Sequence, residues 1–207
     1  MLLADTGGRT PAHRAAMIGN LSQLPPKLLN TRVLLAKDAN GVTPLHLAAG
    51  DTARYIVTAG NIGEIPIHLL TEENLLMADV DGETVMHCAA RAGNLHLLPA
   101  ALLNSNTLLI ADGNGCTPLH DAAEMGELNC LPPYILTEEN LLISAGQITP
   151  LEHAREFEHL DALLGIELSE RCRKIVGDEW FELNLEVIRT RQVTLERDND
   201  AAEVELF

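Results

Sequence analysis

The sequence predicts an all-α repeat solenoid, in which short helix-turn-helix units stack side by side. A seven-residue segment recurs along the chain, beginning at Thr10, Thr43, Thr84 and Thr117. Asp, Asn and Gly residues, which favour turns, precede each copy, as at 38–41. Only 3% of the residues are aromatic although 46% are hydrophobic, so Leu and Ala have to fill the interior. A motif that repeats with a period of 20–50 residues is the signature of a stacked array.

The repeated segment predicts a short capped helix. In its clearest copy, Thr117 precedes Pro118, which places an N-cap hydroxyl before a proline at the first helical position. Leu119 and Ala122 are three residues apart and therefore share one apolar face. Gly126 is expected to end the helix in a left-handed conformation. Small alanines let neighbouring helices approach closely, which explains an interior with few rings.

The spacing of the copies locates an insertion. Successive Thr residues are separated by 33, 41, 33 and 32 positions when a decayed copy at Thr149 is included. Ala-Gly-Asn at 59–61 matches Ala-Gly-Asn at 92–94, so the eight additional residues are 50–57. They either lengthen the first helix of the second unit by about two turns or form a loop. Insertions in arrays often lie on a binding face, and Tyr55 lies in this one.

These motifs resemble the ankyrin repeat, a 33-residue unit with a Thr-Pro-Leu-His start and an Asp-x-x-Gly turn. The resemblance implies ankyrin-type helix-turn-helix repeats with short β-turn loops. Because the last repeat has to shield its hydrophobic face, we also expect a helical C-terminal cap. Five repeats would occupy residues 1–165, starting at about 8, 41, 82, 115 and 146. The resemblance further implies that one His in each unit ties neighbouring turns together through hydrogen bonds. These residues are His13, His46, His87 and His120.

The chain departs from the ankyrin pattern in two places. Prolines at 25–26, 66, 99 and 132–133 fall inside the usual second helix, where each would cost about 3 kcal/mol. We therefore expect the second helix to start late, near the proline, and to continue through 135–136 in the fourth unit. Thr-Glu-Glu-Asn at 71–74 and at 137–140 predicts an added short helix or 3₁₀ turn with a Thr cap. This variant resembles ankyrin repeats of bacterial proteins.

The two ends carry separate expectations. Residues 1–5 match the tail of a repeat, as at 75–79, so the chain begins either with a natural cap or as a fragment of a longer array. Residues 166–207 lack the repeat and are predicted to form an acidic cap, with helices over 169–176 and from 178 to about 189. Trp180 and Phe181 supply part of its apolar surface. A segment that docks a partner is the alternative.

Charge excludes several classes of ligand. Fourteen Lys and Arg against thirty Asp and Glu give a formal net charge of −16, and the cations are scattered. Nucleic acids and anionic membranes need clustered cations, so we expect neither as a direct partner. Runs of apolar residues are too short for a membrane span, and residues 1–9 do not form a secretory signal. We expect four reduced cysteines in a monomeric cytoplasmic protein, or in a delivered effector.

No motif for catalysis, for a cofactor or for a metal is present. The chain has no G-x-S-x-G, no phosphate-binding G-x-x-x-x-G-K-[ST] and no H-E-x-x-H. Cys116 and His120 have helical spacing, but zinc needs about four convergent ligands. We therefore expect a protein that is not an enzyme, with no catalytic, cofactor-binding or metal-binding residues.

The remaining candidate is a binding surface. In ankyrin repeats, the turn tips and the outward side of the first helices line a concave surface, here called the groove face. Carried over to this sequence, the partner-binding residues are Arg9, Arg14, Asn40, Val42, Tyr55, Asp81, Glu83, Arg91, Asn114, Cys116, Asp121, Glu124 and Met125. The leading hypothesis is a non-catalytic protein–protein interaction module whose partner has a basic or mixed-charge surface. The alternatives are an acidic inhibitor that mimics nucleic acid on a basic enzyme, and a repeat fragment of a larger effector or enzyme.

Overall fold

A computed structural model of the chain describes residues 3–50, 61–146 and 148–204. Within them, no strand is assigned, and the helices form repeating units. The α-helices are α1 (Pro11–Met17), α2 (Thr31–Leu34), α3 (Pro44–Ala49), α4 (Glu72–Leu75), α5 (Val85–Arg91), α6 (Ser105–Leu108), α7 (Pro118–Glu124), α8 (Glu138–Leu141), α9 (Pro150–Glu156), α10 (Arg173–Val176) and α11 (Asp178–Val204).

The first helices of the units, α1, α3, α5, α7 and α9, pack against one another in chain order. Each begins after a Thr in extended conformation whose side chain caps the helix. Their facing leucines and alanines are fully buried, as at Leu119, Ala122 and Ala123. Gly126 lies just beyond α7 with φ 75°, so the predicted left-handed end is confirmed. The layer is thin because alanine keeps the helices close.

An aspartate stabilises the turn that precedes each of the helices α1, α3, α5 and α7. Asp38 Oδ1 accepts hydrogen bonds from the backbone N–H of Asn40 at 2.8 Å and of Val42 at 3.0 Å. Asp5, Asp79 and Asp112 make the same pair of bonds in their own turns. Since these donors would otherwise need water, the carboxylate fixes the turn before a partner is present.

The repeated histidines connect each turn to the next one. The Nε2–H of His13, His46, His87 and His120 faces a backbone carbonyl in the following turn, at 3.1 to 3.3 Å. Each Nδ1 accepts the N–H of the capping Thr, which leaves Nε2 as the donor. The predicted hydrogen bonding between neighbouring turns is confirmed. In α9, Glu152 stands where the other first helices have this histidine, and its carboxylate accepts the N–H of Thr149 at the start of its own helix.

The second element of each unit differs from the expectation of a late-starting helix. In the first three units it consists of two three-residue 3₁₀ turns that the proline separates, for example Leu95–Leu97 and Ala100–Leu102. The fourth has Glu127–Cys130 before Pro132, and residues 135–136 are not helical. Pro99 has an extended backbone, with ψ 129°, which ends the first turn. The prediction of a continuing second helix was therefore wrong, because the prolines interrupt the element.

The added short helix predicted at Thr-Glu-Glu-Asn is confirmed. Thr71 and Thr137 cap α4 and α8 by accepting the N–H of the Asn three residues later, both at 3.3 Å. The first Glu of each helix accepts a hydrogen bond from a later part of the chain, in the next unit for α4 and in the C-terminal segment for α8. Glu72 Oε1 accepts from Asn106 at 2.9 Å, and Glu138 Oε1 accepts from the hydroxyl of Ser169 at 2.9 Å.

The C-terminal segment packs on α9, which is the first helix of the fifth unit. A 3₁₀ turn, Glu170–Cys172, leads into α10, which contacts α9 and α11. Phe181 is only 2% exposed and lies under the Arg173 guanidinium, 4.7 Å from its ring centre. The predicted helices are present, and α11 continues to Val204, well beyond the expected end. None of the helices within the described ranges is long and apolar enough to cross a membrane.

Helix α3 ends at Ala49, and Gly50 follows with φ 148°. The rest of the predicted insertion, including Tyr55, lies outside the described residues.

Candidate functional site

The groove face begins at an arginine pair. Arg9 Nε lies 3.1 Å from Asp5 Oδ2, and Arg14 Nη2 lies 3.6 Å from the same oxygen. Arg14 is the outward residue of α1, and 65% of its side chain is exposed. The N-terminal end of the face therefore presents cationic groups around a single carboxylate.

The centre of the groove face contains three of the predicted residues in one cluster. Glu83 follows the turn glycine before α5, Arg91 ends α5, and Asp121 is the outward residue of α7. Arg91 Nη2 donates to Glu83 Oε1 at 2.7 Å, and Arg91 Nε lies 3.6 Å from Asp121 Oδ1. Glu83 is 7% exposed and Asp121 9% exposed, so both carboxylates are almost removed from water.

Burial and the surrounding charges act on this cluster. Burial raises the pKa of Asp121 to about 7, and repulsion from Glu83 and Glu124 adds to the effect, whereas Arg91 opposes it. A pKa near 7 means that Asp121 exchanges a proton in the physiological range. The centre of the face is therefore both acidic and sensitive to any cation that approaches it.

The tips and the far side supply the exposed part of the face. Asp81, Asn114 and Met125 are exposed, the last with 46% of its surface. Asn40, Cys116 and Glu124 are half-buried. Backbone bonds tie successive tips together, since Val80 N–H donates to the carbonyl of Asn40 and Gly113 N–H to that of Asp81. These bonds join the tips at Asn40, Asp81 and Asn114 into one row along the turns.

One predicted residue does not present its side chain on this face. Val42 is fully buried in the hydrophobic core, and its carbonyl accepts from His13. A valine between a turn and a capping Thr completes the apolar layer, so its side chain is unable to contact a partner. Leu47, the outward residue of α3, is also fully buried.

The cysteines do not provide a nucleophile. Burial raises the pKa of all four thiols above the usual value, to about 11 for Cys172. At neutral pH they remain in the thiol form, which is a poor nucleophile and a poor metal ligand. In the portion of the chain that is described, no three His, Cys, Asp or Glu side chains form a group that could hold a metal.

Sequence reasoning missed Glu127, a further carboxylate that connects two units. Glu127 is 9% exposed and accepts the N–H of Leu95 at 2.8 Å, while its other oxygen lies 3.3 Å from Nδ1 of His96. A signal was available, because units two and three have Asn at the corresponding positions, Asn61 and Asn94. A change from Asn to Glu after a turn glycine indicates a new partner in the preceding unit.

Comparison with known protein families decides the identity of this architecture. Residues 59–140 match the family model of ankyrin repeats (3 copies). Residues 59–140 are therefore ankyrin repeats. The match covers α5, α7 and the Glu83–Arg91–Asp121 cluster, so the acidic centre of the groove face belongs to ankyrin repeats. No curated protein matches the chain in a sequence search.

Proposed function

We propose that the chain is a non-catalytic module that binds a protein partner on the groove face. Ankyrin repeats are generally protein–protein interaction modules and are typically non-catalytic. The proposal extends the repeats to residues 1–165, in five units that start at about 8, 41, 82, 115 and 146. Residues 166–207 then act as the cap of the last unit. The module is monomeric on its own.

One observation carries this proposal, namely that the groove face is already fixed in the free chain. Turn carboxylates such as Asp112 hold two backbone N–H groups each, and the buried histidines hold the next turn. Binding to such a surface loses little conformational freedom, which favours affinity and specificity. The exposed side chains of Asn114 and Met125 then contact the partner without rearrangement of the fold.

The charge of the groove face favours a partner with basic or mixed charge. Its centre has Glu83, Asp121 and Glu124 around the guanidinium of Arg91. Its N-terminal end has Arg14, which suits an acidic group on the same partner. Complementary charges of this kind select the partner and raise the rate of association.

Double lysine substitutions, on the groove face and on the second elements of the units, test this proposal. The first variant carries Asn114→Lys and Met125→Lys on the groove face. The matched control carries Ile67→Lys and Tyr134→Lys, at residues that are 72% and 60% exposed in the second elements of their units. For a partner captured from the native host, calorimetry should show at least a tenfold loss of affinity for the first variant and less than a twofold change for the control. Equal affinities for the two variants would refute the proposal.

A further inference from the structure

The centre of the groove face contains more negative charge than its own cation neutralises. The guanidinium of Arg91 contacts one carboxylate oxygen of Glu83 and one of Asp121. The second oxygen of each carboxylate, Glu83 Oε2 and Asp121 Oδ2, is buried and has no hydrogen-bond partner within the described ranges. Two carboxylates therefore share one guanidinium, and each retains an open acceptor.

This arrangement costs stability in the free chain. A buried acceptor without a donor destabilises the folded chain, and a charged acceptor does so more strongly than a neutral one. The side chain of Glu83 is 9% exposed and that of Asp121 is 12% exposed, so both carboxylates are largely removed from water. The turn contributes Glu83, α5 contributes Arg91 and Cys88, and α7 contributes Asp121 and Glu124, so carboxylates outnumber the cation around the open oxygens. Among the residues that the structure describes, the cluster has no second positively charged donor.

Two other occupants satisfy the cluster less well. A metal ion would need more ligands, and burial raises the pKa of the neighbouring Cys88 thiol, so that it does not ligate as a thiolate. A neutral hydroxyl or amide of a partner could donate to one oxygen but would leave the negative charge uncompensated. An N–H cation supplies both the charge and several donors.

We propose that Glu83 and Asp121 form a receptor for one lysine or arginine side chain of the protein partner. This inference rests on the proposed function, because it assigns a partner group to the centre of the groove face. The two oxygens that lack a donor are buried in the free chain, so the incoming cation has to displace Arg91 from one carboxylate to reach them. The longer contact, 3.6 Å between Arg91 Nε and Asp121 Oδ1, is the one that opens. Arg91 keeps its 2.7 Å bond to Glu83.

Peptide selection with a double-mutant cycle tests the receptor. Random twelve-residue peptides are selected by display on the full chain, and each Lys or Arg of a binding peptide is replaced by norleucine or citrulline. At one cationic position this replacement should weaken binding to the wild-type chain at least tenfold. The same replacement should change binding to the Glu83→Gln, Asp121→Asn double variant less than twofold.

A matched variant removes the same two charges elsewhere. Glu73→Gln with Glu179→Gln alters exposed carboxylates and should retain the full tenfold effect of the peptide cation. Peptides that bind the groove face without any coupling to Glu83 and Asp121 would overturn the receptor but leave the proposed function intact. If no peptide or partner binds the groove face, the proposed function itself fails.

A measurement on the wild-type chain covers the case in which the double variant does not fold. The cation should expel the proton that Asp121 partly holds at neutral pH, because its pKa is raised to about 7. The affinity for the selected peptide should therefore rise about tenfold from pH 6 to pH 8. Calorimetry at pH 7 in phosphate and in Tris should show proton release. Binding without pH dependence or proton release would overturn the receptor.

Discussion

His46 shows at the scale of one residue how the repeats are joined. Its Nδ1 accepts the N–H of Thr43 at 3.2 Å, and its Nε2–H donates to the carbonyl of Glu83 at 3.3 Å. A protonated ring would lose the first bond, since both nitrogens would then be donors. Only a neutral imidazole with the proton on Nε2 serves both turns.

The pKa of His46 gives the first prediction. Burial lowers the pKa of this imidazole from 6.5 to about 4, so the unfolded chain takes up a proton before the folded chain does. Its contribution to stability is complete above pH 6.5 and is lost as the pH falls from 6.5 through about 4. Nitrogen NMR of the full chain should show a neutral ring with the proton on Nε2 at pH 5.5. A titration midpoint near 6.5, the value of a free imidazole, would contradict the buried assignment.

Glu158 gives the second prediction because its backbone conformation suits glycine. Its φ is 63°, and the corresponding positions in other units are Gly19, Gly93 and Gly126, with φ between 70° and 75°. A side chain in this region costs about 1–2 kcal/mol. Glu158→Gly should therefore stabilise the chain by about 1 kcal/mol in urea unfolding, after allowance for the greater freedom of unfolded glycine. The control Glu156→Gly, at the end of α9, should destabilise it by up to about 1 kcal/mol. A loss of stability for both variants would contradict this account.

Elements repeat more strictly than residues do, and this regularity made them predictable. The cap, the helix and its left-handed end at 117–126 followed from local chemistry alone, as did the short helices at 72–75 and 138–141. The second element was not predictable to the same degree. Proline excludes an α-helix at 99, but local sequence does not choose between a delayed helix and a pair of 3₁₀ turns. Packing against the next unit, as between the 3₁₀ turns at 95–97 and 127–130, makes that choice.

The junction between α8 and the C-terminal segment gives the third prediction. Glu138 Oε2 accepts the backbone N–H of Ser169 at 2.5 Å, and Oε1 accepts from the hydroxyl of Ser169 and from Arg171. Glu138→Gln should remove about 1–3 kcal/mol of stabilisation from this junction, because hydrogen bonds to a charged acceptor are the stronger ones.

Hydrogen exchange reports on the junction separately from the repeats. Exchange in 170–192 should speed up in Glu138→Gln while exchange in α5 and α7 stays the same. Glu139→Gln is the matched control, since Glu139 is exposed and adjacent, and it should leave both regions unchanged. Faster exchange throughout the array, or in neither region, would show that Glu138 does not hold the segment.

For the whole molecule, the sequence indicated the array and placed the proposed groove face on its turns and first helices. It could not show which side chains on that face are buried. Val42 has the same place in its turn as Glu83 and Cys116, but the core covers it completely. The Glu83–Arg91–Asp121 cluster combines residues 38 positions apart, and only the stacking of two units brings them together. Burial and pairing between units depend on packing, which motif spacing does not specify.

We propose that the partner binds on the groove face, which is formed across the stacked units. Site-specific photo-crosslinking distinguishes this face from the rest of the array, with the crosslinker placed at Asn114 or Met125 on the groove face and at Lys27 or Tyr134 on the second elements of the units, all four exposed. In the native host, we expect a crosslinked protein from the first two positions and none from the second two. Crosslinks to the same protein from Lys27 and Tyr134, with none from Asn114 and Met125, would contradict it.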